Sequence, residues 1–165
     1  MLLTDQFNRK VNYLRISVTD RCDLRCVYCM KEKMNFLPKN EILTLEEIER
    51  LCKNFTDLGI KKIRLTGGEP LVRKNLVELV AKLNEMKKNS SLNEITLTTN
   101  GTLLSLYAKK LKDNGIDRIN VSLDTINKKK YNQITRFGNL DKVIEGIQEA
   151  KKNNIKIKIN TVAIK

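Results

Sequence analysis

Lys62-Ile63-Arg64-Leu65-Thr66-Gly67-Gly68-Glu69-Pro70 carries the pattern that decides the fold. Apolar and polar residues alternate with the period of a strand, so Ile63 and Leu65 share one face while Lys62, Arg64 and Thr66 share the other. The glycines and Pro70 end the strand, and Leu76, Leu79, Val80 and Leu83 then recur at helical spacing. This is one βα unit. Upstream, residues 13–18 repeat the strand pattern, with Leu14, Ile16 and Val18 alternating with Arg15 and Ser17. Between these strands, Thr44 and Glu47 make a capping box, and Leu45, Ile48, Leu51, Cys52, Phe55 and Leu58 form a helical stripe that Gly59 closes. Downstream come a strand at 94–99, an Asn100-Gly101 turn, a helix at 103–114 closed by Gly115, and a strand at 118–123. Leu140, Val143, Ile144, Ile147 and Ala150 mark a further helix, which leads to a strand at 155–164.

Strands alternating with helices predict an α/β fold with a parallel sheet joined by right-handed crossovers. Two closures compete. An open doubly wound sheet is buried on both faces and shows nearly continuous apolar strands. Here Arg15 and Ser17, Arg64 and Thr66, Thr96 and Thr98, Asn120 and Ser122, and Lys156, Lys158 and Asn160 all fall on the parity opposite the apolar one. With outer helices on the apolar face, the polar residues turn towards a common interior. The expectation is a partial (β/α) barrel, a half-barrel around a wet cavity. The competing arrangement, one solvated sheet face, is awkward for parallel strands and gives the arginines of neighbouring strands no role. In such barrels the loops after the strands build the site.

A chain of 165 residues suits one domain, 1–165, with a real core. With 41% hydrophobic and 31% charged residues it has the composition of a globular protein rather than a disordered one. No apolar run spans a bilayer and the N-terminus lacks the features of a secretory signal, so a cytoplasmic location and no membrane partner are expected. Lysine and arginine number 32 against 19 acidic residues, a net +13 that favours anionic ligands. The runs Lys128-Lys129-Lys130 and Lys151-Lys152 lie beside asparagines and read as solvated helix ends and loops. Aromatics make up only 5% and Trp is absent, which speaks against a dedicated nucleic-acid binder. The chain has no histidine, which removes the commonest general base and zinc ligand. Difficult chemistry would need a cofactor.

Three of the four cysteines, Cys22, Cys26 and Cys29, follow the first strand within eight positions. Three thiolates can hold three corners of an iron–sulfur cube and leave the fourth iron open. Three plainer readings compete with this. On a helix the cysteines would form a buried stripe at i, i+4 and i+7. A structural zinc site needs a fourth ligand, for which no histidine is present. A redox pair of Cys26 and Cys29 leaves Cys22 unexplained. Cys52 lies on an apolar helix stripe and is expected to be a core thiol.

The wider string Ser17-Val-Thr-Asp-Arg-Cys-Asp-Leu-Arg-Cys-Val-Tyr-Cys-Met30 closely resembles the signature of the radical S-adenosylmethionine superfamily. That resemblance implies a [4Fe–4S] cluster on Cys22, Cys26 and Cys29, with S-adenosylmethionine chelating the open iron and cleaved to a 5′-deoxyadenosyl radical. It further implies cofactor contacts from Tyr28, from Gly68 in Gly67-Gly-Glu-Pro70, and from Ser122 in Val121-Ser-Leu-Asp124. Phe36-Leu-Pro-Lys-Asn-Glu-Ile-Leu-Thr44, Leu97-Thr-Thr-Asn-Gly101 and Ile119-Asn-Val-Ser-Leu-Asp124 resemble the GTP 3′,8-cyclases of molybdenum-cofactor biosynthesis, and the likeness covers nearly the whole chain. It implies a lyase-type enzyme that abstracts the ribose 3′ hydrogen of GTP and joins the sugar to guanine C8. Its GTP contacts fall on Arg15, Arg64, Thr98 and Lys158, all on the polar parity, and cations suit a triphosphate. An electron-donor protein and a homodimer are implied by the resemblance alone.

Full-length members of that family carry a second cysteine triad for a second [4Fe–4S] cluster, and nothing after Cys52 supplies it. The last residues, Val162-Ala-Ile-Lys165, lie in a strand without a closing helix, so the sequence is expected to be the N-terminal radical core domain of a longer enzyme. Two alternatives stand beside the cyclase. One is another radical enzyme of the same superfamily, such as a peptide-modifying one. The other is a basic zinc or redox binding module without catalysis.

Overall fold

A computed structural model describes residues 3–163. Five strands, β1 (Tyr13–Ser17), β2 (Lys62–Thr66), β3 (Glu94–Thr99), β4 (Arg118–Ser122) and β5 (Lys156–Asn160), form one sheet in the order β1-β2-β3-β4-β5, each pair parallel. A doubly wound sheet reverses its strand order at a switch point. This one never does. Right-handed crossovers that always step the same way leave every connecting helix on one face, and the sheet curls around the other. The architecture is the partial barrel that the strand parity predicts. Among the described residues no ladder joins β5 back to β1.

The helices are α1 (Leu45–Asp57), α2 (Leu76–Met86), α3 (Leu104–Asp113), α4 (Lys128–Thr135) and α5 (Leu140–Lys152). Thr44 starts α1 with its capping box to Glu47, and Gly59 ends it at φ 96°. The apolar strand parity, Ile63, Leu65, Ile95, Leu97, Ile119 and Val121, is fully buried beneath the helices. Each such side chain contributes about 1.5–3 kcal/mol relative to exposure. Cys52 is buried in the same core, and burial pushes its thiol up to about 12. No helix among the described residues is long and apolar enough to cross a membrane.

One expectation needs correction. The strand at 155–164 stops at Asn160, because Thr161 Oγ1 donates to Leu123 O at 2.9 Å and Val162 N to Asp124 Oδ1 at 2.9 Å, drawing the chain off the ladder. Ile164 lies outside the described residues. Lys128-Lys129-Lys130 form a solvated helix end as expected, the first turn of α4, whose Tyr131 and Thr135 are buried. Of the competing readings of the cysteines the helical stripe does not form, since the segment is an irregular loop with a turn at 27–29.

Candidate functional site

Chain 18–21 leaves β1 and continues alongside the end of β2. Val18 N donates to Thr66 O at 2.9 Å, Gly68 N to Thr19 O at 2.7 Å and Glu69 N to Arg21 O at 2.8 Å. The two backbones approach so closely that a Cβ on Gly68 would lie 2.4 Å from Arg21 O, and one on Gly67 2.7 Å from Thr19 O. Beside the cofactor contact that the resemblance implies for Gly68, this close approach makes the two glycines a seat for the loop that carries the cysteines.

Within that loop Cys22 and Cys26 are half-buried and Cys29 is exposed. A turn bonds Cys29 N to Cys26 O at 2.9 Å and Met30 N to the same oxygen at 3.0 Å. Leu24 N points at Cys22 Sγ at 3.4 Å. Asp23 ties the loop to the end of β3, accepting from Asn100 Nδ2 at 2.7 Å and Thr102 Oγ1 at 2.5 Å. On the other side, the C-terminal end of α4 receives Arg25 N on Thr135 O at 3.2 Å and Val27 N on Ile134 O at 2.9 Å. Arg136, held at φ 63°, donates through Nη1 to Arg25 O at 2.7 Å and Met30 O at 3.1 Å. Nothing in the sequence singles out Arg136, since its partners lie more than a hundred residues away.

Burial pushes the Cys22 thiol up to about 11 and that of Cys26 upward as well. Among the described residues no three His, Cys, Asp or Glu side chains converge on a point suited to one metal ion. An iron–sulfur cube takes its three thiolates on three separate irons, and all three thiols lie on this one loop.

Glu69 is completely buried at the junction of these pieces. Its Oε1 accepts from Leu71 N at 3.0 Å and Thr99 Oγ1 at 2.7 Å, and its Oε2 from Asn100 N at 2.6 Å. Burial pushes its carboxyl up to about 7, the three donors pulling in the opposite direction. A backbone N–H faces each oxygen, so a Glu69→Gln amide would set its NH2 against one of them in either orientation. At pH 8, where the carboxylate is ionised, this substitution is expected to cost about 2–3 kcal/mol, read as a lower urea midpoint. Sequence reading gave this residue no role, although a charge between glycine and proline at a strand end was the available signal.

Of the residues expected at the cofactor, Tyr28 donates to Asp124 Oδ2 at 2.7 Å, which brings it beside the end of β4, where Ser122 is half-buried. Burial, followed by the Asp124 hydrogen bond, raises the Tyr28 hydroxyl above its usual range. Gly68 lies at the corresponding end of β2.

The polar parity forms rows across the sheet. Arg15 faces Arg64, which faces Thr96, then Arg118 and Lys156. In the next row Thr98 faces Asn120, which faces Lys158. Glu94 takes up Lys62 at 2.7 Å and Arg118 at 3.5 Å. Among the described residues Arg15 and Arg64 have no carboxylate partner, although two adjacent guanidiniums repel each other. Arg64 Nε, Thr98 Oγ1 and Asn120 Oδ1 are buried without any hydrogen-bond partner. Orphaned polar atoms of this kind are costly unless a ligand satisfies them.

The sequence pattern of the Radical SAM superfamily matches residues 16–165. A protein of Bradyrhizobium diazoefficiens named GTP 3′,8-cyclase is 58% identical over 163 residues, covering 99% of this chain and 47% of its own length. One of the same name from Brucella ovis is 56% identical with the same coverage, so the chain spans about half the length of these relatives. Among solved structures, Streptococcus suis SuiB bound to its precursor peptide SuiA superposes with a TM-score of 0.78 at 22% identity, over 93% of this chain and 33% of that one. SuiB bound to S-adenosylmethionine gives 0.75 at 24% identity, over 93% and 34%. A pattern running from β1 to the last residue, on a one-way parallel sheet with a three-cysteine loop after its first strand, places this chain in the radical SAM superfamily.

Proposed function

We propose that this chain is the cofactor-binding part of a GTP 3′,8-cyclase acting in molybdenum-cofactor biosynthesis. Superfamily membership implies a [4Fe–4S] cluster and S-adenosylmethionine. The donor set fits, since three thiols are gathered on one loop that is held from both sides. Cys22, Cys26 and Cys29 would ligate the cluster, while Tyr28, Gly68 and Ser122 would position the methionyl cofactor. When bound, the pair would supply a 5′-deoxyadenosyl radical able to take the ribose 3′ hydrogen of GTP; the sugar C3′ would then bond to guanine C8, and one electron from the donor protein and one proton, both taken up by the purine, would complete 3′,8-cyclo-7,8-dihydro-GTP.

The observation that carries the substrate assignment is the Arg15–Arg64 pair, in register and unneutralised, with Arg64 Nε and Thr98 Oγ1 buried and unpartnered beside it. Two guanidiniums placed side by side answer the charge of a triphosphate. Thr98 and Lys158 would complete the contact from the adjoining row. The polypeptide's share is alignment, because holding ribose, base and radical in one geometry supplies much of the rate. An electron-donor protein, a homodimer and a second cluster held by the remaining half of the longer relatives belong to the same proposal.

The test is GTP binding by anaerobically reconstituted protein. Replacing both Arg15 and Arg64 by alanine is expected to weaken GTP at least a hundredfold, about 3 kcal/mol, while iron content and S-adenosylmethionine affinity stay unchanged. Unchanged GTP affinity would reject the substrate and favour a superfamily member acting on an uncharged or peptide substrate.

A further inference from the structure

Asn120 is 1% exposed, yet its Oδ1 has no hydrogen-bond partner. In a folded protein a buried carboxamide is normally satisfied, and leaving one oxygen orphaned is costly. Its place in the sheet shows what could satisfy it. Along its row it faces Thr98 on one side and Lys158 on the other. Along its own strand, Ser122 shares its face roughly 7 Å further on. Asn120 therefore lies where the cofactor end of β4 meets the substrate row. Thr98 Oγ1 beside it is likewise unpartnered, so two neutral hydrogen-bonding groups are left free next to the cationic Arg15–Arg64 row.

Neutral acceptors and donors are suited to a sugar, whereas the arginines are suited to phosphate. A carboxamide oxygen accepts from a hydroxyl, its NH2 donates to one, and neither adds charge. We infer that Asn120 is a specificity-determining residue that recognises a ribose hydroxyl of the substrate nucleotide, so that the site distinguishes ribonucleotides from deoxyribonucleotides. The inference rests on the nucleotide reading above. It adds a residue and a selectivity to it. A site built to hydrogen-bond a hydroxyl strongly rejects the analogue lacking it, because its own polar atoms are then left buried and unpaired.

The experiment compares GTP, 2′-deoxy-GTP and 3′-deoxy-GTP binding to reconstituted wild type, Asn120→Leu and Asn120→Ser, with S-adenosylmethionine affinity and a thermal melt as controls. Wild type should bind at least one deoxy analogue ten- to a hundredfold more weakly than GTP. In Asn120→Leu the difference should shrink to within about twofold through loss of GTP affinity, with Asn120→Ser intermediate. If the leucine variant does not fold, the serine variant carries the comparison. Equal binding of all three nucleotides by wild type overturns the inference without any variant, and so does discrimination that survives both substitutions. Loss of S-adenosylmethionine affinity with nucleotide discrimination intact assigns Asn120 to the cofactor and also overturns it. Failure of wild type to bind GTP at all rejects the nucleotide reading itself, which the other outcomes leave standing.

Discussion

Gly68→Ala is expected to dislodge the cysteine loop. The added Cβ would lie 2.4 Å from Arg21 O, 2.6 Å from Arg21 C and 2.7 Å from Asp20 O. All three are backbone atoms, so no side-chain rotation relieves the overlap and the two chain segments must separate. Separation stretches Gly68 N to Thr19 O and Glu69 N to Arg21 O, the bonds that carry the β1–β2 pairing into the loop. Overpacking of this kind costs about 3 kcal/mol or more when backbone must move. Chemical denaturation should show that loss, and iron retained after reconstitution should fall by at least half. Full iron retention with wild-type stability would mean that the loop does not depend on this contact.

The second large effect concerns the thiols. Replacing Cys22, Cys26 or Cys29 singly by alanine should reduce bound iron from about four per chain to near background, because a cube held at two corners has lost an anchor as well as a charge. Cys52→Ala should keep its iron and lose about 1–2 kcal/mol of stability, since that thiol is a core side chain. pH separates the two roles further. Burial pushes Cys22 up to about 11 and Cys26 upward, so at neutral pH both are protonated and must release a proton to bind iron. A thiol titrating above the working pH gains thiolate as pH rises. Apparent iron affinity should therefore climb about tenfold per pH unit for each such thiol between pH 7 and 9. Iron titrations at three pH values would measure it, and a flat profile would show that the thiols are already ionised.

Strand parity was the most legible feature, because one buried face imposes period-two alternation and the sequence of 62–66 and 94–99 shows it directly. The capping box at Thr44 and Glu47 was equally readable, being a contact between residues three apart. Helix α4 was not. Its few apolar positions follow a lysine run, and its reason for existing is tertiary, the docking of Ile134 and Thr135 carbonyls onto Arg25 and Val27. The end of β5 is not legible either, since side-chain bonds from Thr161 and to Asp124 decide it. In the site, the cysteines, Arg15 and Arg64 were marked by spacing and parity. Glu69, Asp23, Asp124 and Arg136 were not, because each acts by bonding to a distant strand end or loop.

The hold of α4 on the cysteine loop has a consequence for timing. Arg136 and its target Arg25 are 111 residues apart. At ribosomal rates of about 5–20 residues per second, the thiols emerge roughly 5–20 s before the helix that braces them. During that interval the nascent loop has neither α4 nor the ends of β3 and β4 to shape it. The loop therefore gains its defined shape only once residue 136 has emerged, and until then its thiols are open to oxidation.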